Sequence, residues 1–195
     1  MKKVLYIDTE TTGLSSISNG LTEVACIIVI DDVEVDKFLL QINTSTYKKE
    51  VDFDDYALNL TNKSIEDIHS YPDSSRQFEV FLNQVGKYID KFDKADKFQI
   101  SGYNVSFDIG FIQSWFHDND NKFYGSYFSY KDLDVFAMVK HFKHLGLIDT
   151  PDDKLLTICE HFNIPLDAHN ALDDIIATKK LDEILTDKFI ITNAS

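Results

Sequence analysis

Apolar positions along this chain recur in two periods, and the switches between them mark out the elements. Residues 3–8 carry the unbroken run Val4-Leu5-Tyr6-Ile7 and predict a first strand. Glu23–Ile30 and Val33–Ile42 read as a pair of strands folded back around Asp31-Asp32. Residues 51–71 lack a sustained period and predict irregular chain, with one short helix from Ser64 to His69. Ser74 or Ser75 can cap a helix running to Lys91, because Phe78, Phe81, Leu82, Val85 and Ile89 share one face. Lys97–Gly102 predicts a short strand, and Val105–His117 a helix that turns Phe107, Phe111, Ile112 and Trp115 inward. Residues 118–131 read as a loop with a short strand near Tyr127–Lys131, followed by a helix over Leu133–Leu145. Residues 152–162 and 171–186 predict two more helices. Strand, hairpin, then alternating helix and strand make an α/β protein, a mixed sheet flanked by helices. Repeats, linkers and low-complexity segments are lacking, so residues 1–195 are expected to form a single domain.

Composition narrows the class. The chain is 44% hydrophobic with only three prolines, which suits a globular core throughout. Cys26 and Cys159 lie in apolar stretches and read as buried free thiols. The apolar run after Met1-Lys2-Lys3 meets Asp8 too early for a signal core, and no apolar stretch is long enough to span a bilayer. A soluble, cytoplasmic protein without a membrane partner is the expectation. The net charge is −14, and Arg76 is the sole arginine among 19 basic residues. The charge argues against long-range attraction to a phosphate backbone, and arginine readout of guanine edges is almost unavailable. Lys140, Lys143 and His144, on one predicted helix face, are the best basic patch available. Any nucleic-acid contact must be local and carried by metal and backbone groups.

Three groups of residues carry candidate chemistry. The first is Asp8-Thr9-Glu10-Thr11-Thr12-Gly13 at the end of the first strand. Alternation points Asp8 and Glu10 the same way. Two carboxylates at the end of a buried strand need a positive partner, and oxygen ligands suit magnesium or manganese. A polar turn built on Thr11, Thr12 and Gly13 accounts for the same residues without a metal. The second is Tyr103-Asn104-Val105-Ser106-Phe107-Asp108. Asp108 there sits in an aromatic helix face, or serves merely as a first-turn carboxylate favoured by the helix dipole. The third is His169-Asn170-Ala171-Leu172-Asp173-Asp174. Asn170 and Asp173 are explained as helix cap and third helical residue. Asp174 and His169 are left over, and an imidazole beside carboxylates and metal is a good general base.

In this order and register, the three groups resemble the DEDDh family of 3′–5′ exonucleases. Asp8-Thr9-Glu10-Thr11-Thr12-Gly13-Leu14 is written in the style of the proofreading epsilon subunit of bacterial DNA polymerase III. Asn104-Val105-Ser106-Phe107-Asp108 is similar to the family's second motif, although Tyr103 stands where many members have histidine. His169-Asn170-Ala171-Leu172-Asp173-Asp174 is similar to the third, which gives the catalytic place to Asp174 and not Asp173. The resemblance covers residues 3–185. It implies a ribonuclease H-like five-stranded mixed sheet with helices on both faces. It implies two divalent cations, Mg²⁺ or Mn²⁺, held by Asp8, Glu10, Asp108 and Asp174, with His169 as the base that deprotonates the attacking water. It implies release of nucleoside 5′-monophosphates from the 3′ ends of single-stranded DNA, or of RNA, alone or within a polymerase or other nucleic-acid-processing complex. Thr11, Leu14, Asn104 and Phe107 are the candidates for gripping the terminal nucleotide, although core packing explains Leu14 and Phe107 equally well. RNA trimming and a non-catalytic nucleic-acid-binding module are the alternative readings.

Overall fold

A computed structural model describes residues 1–61, 63–167 and 170–193. The first strand, β1, spans Lys3–Thr11, three residues beyond the sequence expectation. It is followed by β2 (Leu21–Ile30) and β3 (Val33–Gln41). Both turn residues between β2 and β3 take positive φ, 47° at Asp31 and 66° at Asp32. That is the backbone of a tight hairpin turn whose twist matches its strands. Three helices follow: α1 (Asp55–Thr61), α2 (Ile65–His69) and α3 (Ser74–Gly86). Then come β4 (Gln99–Gly102), α4 (Ser106–Asp118) and the single turn α5 (Tyr124–Tyr127). The chain finishes with β5 (Leu133–Asp134), α6 (Val135–His144), α7 (Leu155–His161) and α8 (Ala171–Asn193).

The strands form one sheet in the order β3-β2-β1-β4-β5. β1 and β2 pair antiparallel, as do β2 and β3, whereas β4 lies parallel to β1 and β5 parallel to β4. The expected five-stranded mixed sheet with helices on both faces is what the chain forms. Alternation along β1 divides the core. Leu5 and Ile7 pack on one face with Phe78 and Phe81 of α3 and with Phe111, Ile112 and Trp115 of α4. Val4 and Tyr6 pack on the other face with Ala171 and Ile175 of α8. The far side of α8 buries Ala177, Leu181 and Leu185 against α6 and α7.

Five local expectations are corrected. The cap of α3 is Asp73, whose side chain accepts from the Arg76 N–H at 3.0 Å. Ser74 is buried instead, and its Oγ accepts from Trp115 Nε1 at 2.9 Å. Helix α3 stops at Gly86 rather than Lys91. The 118–131 segment holds a helical turn, and only an isolated bridge joins Phe128 to Phe98. Leu133 and Asp134, read as the start of a helix, are the fifth strand, and Asp134 then caps α6 by accepting from the Phe136 N–H. A segment read as irregular contains α1, which has no fully buried residue and so leaves no apolar stripe in the sequence.

The reassigned cap makes a stability prediction. Asp73→Ala is expected to cost about 1 kcal/mol in chemical denaturation, while Ser75→Ala stays within about 0.5 kcal/mol of wild type. Equal losses in the two variants would return the cap to the serines.

Candidate metal and nucleic-acid site

The site is built where β1 leaves the core. Val4 and Tyr6 face α8, so the two-residue period puts Asp8 and Glu10 on that face as well. Helix α8 begins after Asn170, whose Oδ1 accepts from the N–H groups of Leu172 at 3.0 Å and Asp173 at 3.4 Å. This is the expected cap, and it places Asp174 within the first turn, facing β1. Carboxylate oxygens of Asp8, Glu10 and Asp174 all lie within 4.8 Å of one another. Asp108 approaches from the opposite layer, on the first turn of α4. It is buried, and its Oδ1 accepts from the Thr9 hydroxyl at 2.7 Å. Thr9, between the two acids of β1, therefore fixes the carboxylate on the other side of the sheet.

The first motif is pinned behind the strand end. Thr12 is fully buried, and its hydroxyl donates to the Asp52 carbonyl at 2.6 Å and accepts from the Gly20 N–H at 3.0 Å. Asn19 Nδ2 donates to the same Asp52 carbonyl at 2.8 Å. A Cβ on Gly13 would stand 2.6 Å from the Asn19 side chain, so any larger residue here must displace Asn19 from its bond to the Asp52 carbonyl. Gly102, just before the second motif, is also constrained: a Cβ there would meet the Ile7 carbonyl at 2.7 Å. Asn104 takes φ of 62°, and its N–H donates to Asp134 Oδ1 at 3.0 Å. Tyr103 donates its hydroxyl to the Asp153 carbonyl and sets its ring edge-on to Phe136.

A cleft of about 250 Å³ gathers these groups. Asp8, Glu10, Asp108 and Asp174 line it, and so do Thr11, Leu14, Asn104 and Phe107. Leu14 is 79% exposed, which removes core packing as its explanation. Phe107 is half-buried and stacks at a tilt on Phe111, so it serves core and cleft together. The Thr11 hydroxyl donates to the Gly13 carbonyl at 2.7 Å. Sequence reasoning missed one wall, formed by Tyr56, Ala57, Leu60 and Thr61 of α1. Irregular chain was expected there, whereas Asp54 caps α1 by accepting from the Tyr56 N–H at 2.8 Å. His169 lies outside the described residues. The basic patch is dispersed: Lys143 Nζ is held by the Thr150 and Asp152 carbonyls and the Asp153 carboxylate.

The electrostatics follow from crowding like charges out of water. Burial, then repulsion from Asp108, Asp174 and Glu10, holds the Asp8 carboxyl well above the usual carboxylate range. Burial pushes Glu10 up to about 7, opposed by Lys63 and reinforced by Asp174 and Glu23. Burial pushes Asp108 up to about 7 as well, against the hydrogen bond from Thr9. An oxygen-rich cluster that strains against its own charge fits a divalent cation, which both neutralises and ligates it.

A carboxyl with a higher pKa folded than unfolded takes up a proton on folding between those two values. Its contribution to stability is therefore full at acid pH and falls as pH rises through the window. For Glu10 that window runs from 4.5 to about 7. In chelator, Glu10→Gln is expected to be more stable than wild type by roughly 1–2 kcal/mol at pH 8 and by much less at pH 5. Mg²⁺ should raise the melting temperature of wild type more than that of the variant. A pH-independent difference would show that Glu10 carries no such strain.

The fold agrees with that of known proteins. No curated protein matches the sequence. E. coli Exonuclease I in complex with a dT13 oligonucleotide is similar, with a TM-score of 0.76 and 16% identity over 95% of this chain and 41% of that protein. The zinc ion bound form of an E. coli ExoI-ssDNA complex gives a TM-score of 0.80 and 16% identity over 96% and 41% of the two chains. A moderately thermophilic Exonuclease I from Methylocaldum szegediense gives 0.73 and 16% over 91% and 38%. The chain thus spans about two fifths of the length of these structures, and at such identity the likeness is one of fold. The RNase_T family model, described as an exonuclease, matches residues 5–181 and so takes in both strand and helix carboxylates of the cleft. On that match, the chain belongs to the RNase_T exonuclease family.

Proposed function

We propose that this protein is a metal-dependent 3′–5′ exonuclease that releases nucleoside 5′-monophosphates from single-stranded nucleic acid, with DNA favoured. The observation that carries the reading is the meeting of three carboxylates within 4.8 Å at a cleft that Asp108 also lines and whose remaining side chains are uncharged, apolar, aromatic and polar. A binding module has no use for such a cluster, because it repels a phosphate backbone unless a cation intervenes. The preference for single-stranded DNA draws on similar structures solved with dT13 and dA16 oligonucleotides. Residues 1–195 would act as one exonuclease domain, and a polymerase or other processing complex would be its setting.

Asp8, Glu10, Asp174 and Asp108 would hold two divalent cations, Mg²⁺ or Mn²⁺. When bound, such cations lower the pKa of a ligated water and offset the charge that gathers on the phosphoryl oxygens. The protein's own groups supply the rest. The Thr9 hydroxyl occupies one oxygen of Asp108 and fixes this carboxylate at the cleft. Leu14 and Phe107 offer surfaces on which a terminal base can pack whatever its identity. Asn104 and Thr11 flank the sugar-phosphate end of the same cleft. His169, assigned on the third motif, would take the proton from the attacking water as that oxygen bonds to phosphorus and the 3′ oxygen of the penultimate nucleotide leaves.

Matched 5′-labelled single-stranded DNA, double-stranded DNA and RNA test the reading directly. Single strands should shorten progressively from the 3′ end, activity should vanish in chelator, and Mg²⁺ or Mn²⁺ should restore it. Cutting within a circular single strand, or full activity without metal, would defeat the proposal. Faster digestion of RNA than of DNA would establish the RNA-trimming alternative.

Two substitutions separate the acids of the third motif. Asp174→Asn should lower kcat roughly 10²–10³-fold, the scale of a lost preorganised charge. Asp173→Asn should keep its kcat and at most cost about 1 kcal/mol of stability. The reverse pattern would shift the motif by one residue.

His169 is tested by rate against pH. For wild type, kcat should climb through the neutral range and level off, as general-base catalysis by an imidazole requires. His169→Ala should lose about 10²–10⁴-fold in kcat while still binding the oligonucleotide. A variant with normal turnover would remove His169 from the mechanism.

A further inference from the structure

Helix α1 walls the cleft, yet nothing in its own packing holds it there. None of its residues is buried; Tyr56 is 71% exposed and Leu60 40%. Its N-terminal end is tied to the first motif, because the Asp54 N–H donates to the Thr12 carbonyl at 2.7 Å. The chain just beyond its C-terminal end is held differently. The Lys63 N–H closes the last turn onto the Leu58 carbonyl at 3.3 Å, and its ammonium reaches Glu23 Oε1 at 2.7 Å. Both side chains are largely withdrawn from solvent, at 19% and 5% exposure. Glu23 is further fixed by Gln41 Nε2, which donates to the same oxygen at 3.0 Å.

The position of that ion pair gives it meaning. Glu23 on β2 stands directly opposite Glu10 on β1 in the antiparallel register, and paired residues share a face. A second carboxylate beside the metal-binding cluster would only add repulsion if it existed for the cluster's sake. It is instead neutralised by a lysine from the α1 wall. We infer that Glu23 and Lys63 are positioning residues: their buried ion pair latches α1 against the sheet, and so sets how firmly the cleft grips the end of a substrate strand. The latch needs the pair, not the lysine charge alone. Lys63 also exerts the one downward pull on the Glu10 carboxyl among its resolved influences, in keeping with a place beside the site.

This inference rests on the exonuclease reading, so the experiment carries a second readout that does not. Steady-state kinetics on a single-stranded DNA oligonucleotide with Mg²⁺ are compared with hydrogen exchange of the protein alone. Glu23→Gln and Lys63→Met should each raise KM on the order of tenfold, with kcat within about threefold of wild type. Lys63→Arg should restore KM. Exchange across Asp55–Thr61 should quicken in Glu23→Gln and Lys63→Met, with Ser74–Gly86 unchanged, which separates local release from global instability. If Glu23→Gln leaves KM alone or lowers it while Lys63→Met raises it, Lys63 acts on the substrate through its own charge and the latch is wrong. Unaltered exchange in α1 overturns it as well. If the wild-type protein cleaves neither DNA nor RNA, the exonuclease reading fails, and the exchange result alone decides whether the ion pair holds α1.

Discussion

The structure is organised around a charge conflict at the end of its central strand. Asp8 and Glu10 leave the apolar core on the same face of β1, and α8 sets Asp174 against them. In water such groups would ionise and separate. Here the strand ladder holds two of them in place, the helix cap at Asn170 orients the third, and burial keeps water from screening their repulsion. Folding therefore builds a site that is unfavourable until a cation enters it. The stability lost at the cluster is compensated by the apolar cores that the central strand β1 carries on both of its faces.

Much of the surrounding architecture serves to hold that conflict steady. Thr9 faces away from the cluster and anchors Asp108 from the other layer, so four acids converge from two sides of one sheet. Thr12 and Asn19 gather the chain after Glu10 onto the Asp52 carbonyl, joining the first motif to the segment that leads into α1. Gly13 and Gly102 stand where a side chain and a backbone carbonyl approach too closely for a Cβ to enter without displacing them. Phe78 of α3 meets Trp115 and Phe116 of α4 edge to face and Phe81 lies tilted against Trp115, giving the helix that carries Asp108 a rigid base.

The charge balance of the whole chain acquires a local reading. At −14, the protein offers little long-range attraction to a polyanion. Its lysines are largely spent within the fold: Lys143 on the loop before α7, Lys49 on the carbonyls of Ser16, Ile17 and Asn19, and Lys63 on Glu23. Under the proposed function, recognition of a strand end would fall to the cleft itself, through bound cations and the exposed apolar side chains at its rim. Such recognition is short-ranged and indifferent to base sequence.

How much of this was legible in the sequence depends on whether the signal was local. The long strands, the hairpin at Asp31-Asp32, α4 and α8 were readable because each buries an apolar face, which leaves a period of two or of three to four residues. The carboxylates were readable because a buried acid at a strand end or in an aromatic helix face is costly enough to demand an explanation. The elements that escaped carry no such imprint. Strand β5 is two residues long and exists only because β4 offers it a parallel edge. Helix α1 buries nothing and is held by a cap, a backbone bond and an ion pair to residues remote in sequence. The cap of α3 went to Asp73 because Trp115 claimed Ser74. Sequence alone determined which residues could do chemistry. Tertiary structure decided which of them meet, since the 4.8 Å approach of Asp174 to Asp8 and Glu10 depends on a helix more than 160 residues downstream packing against the first strand.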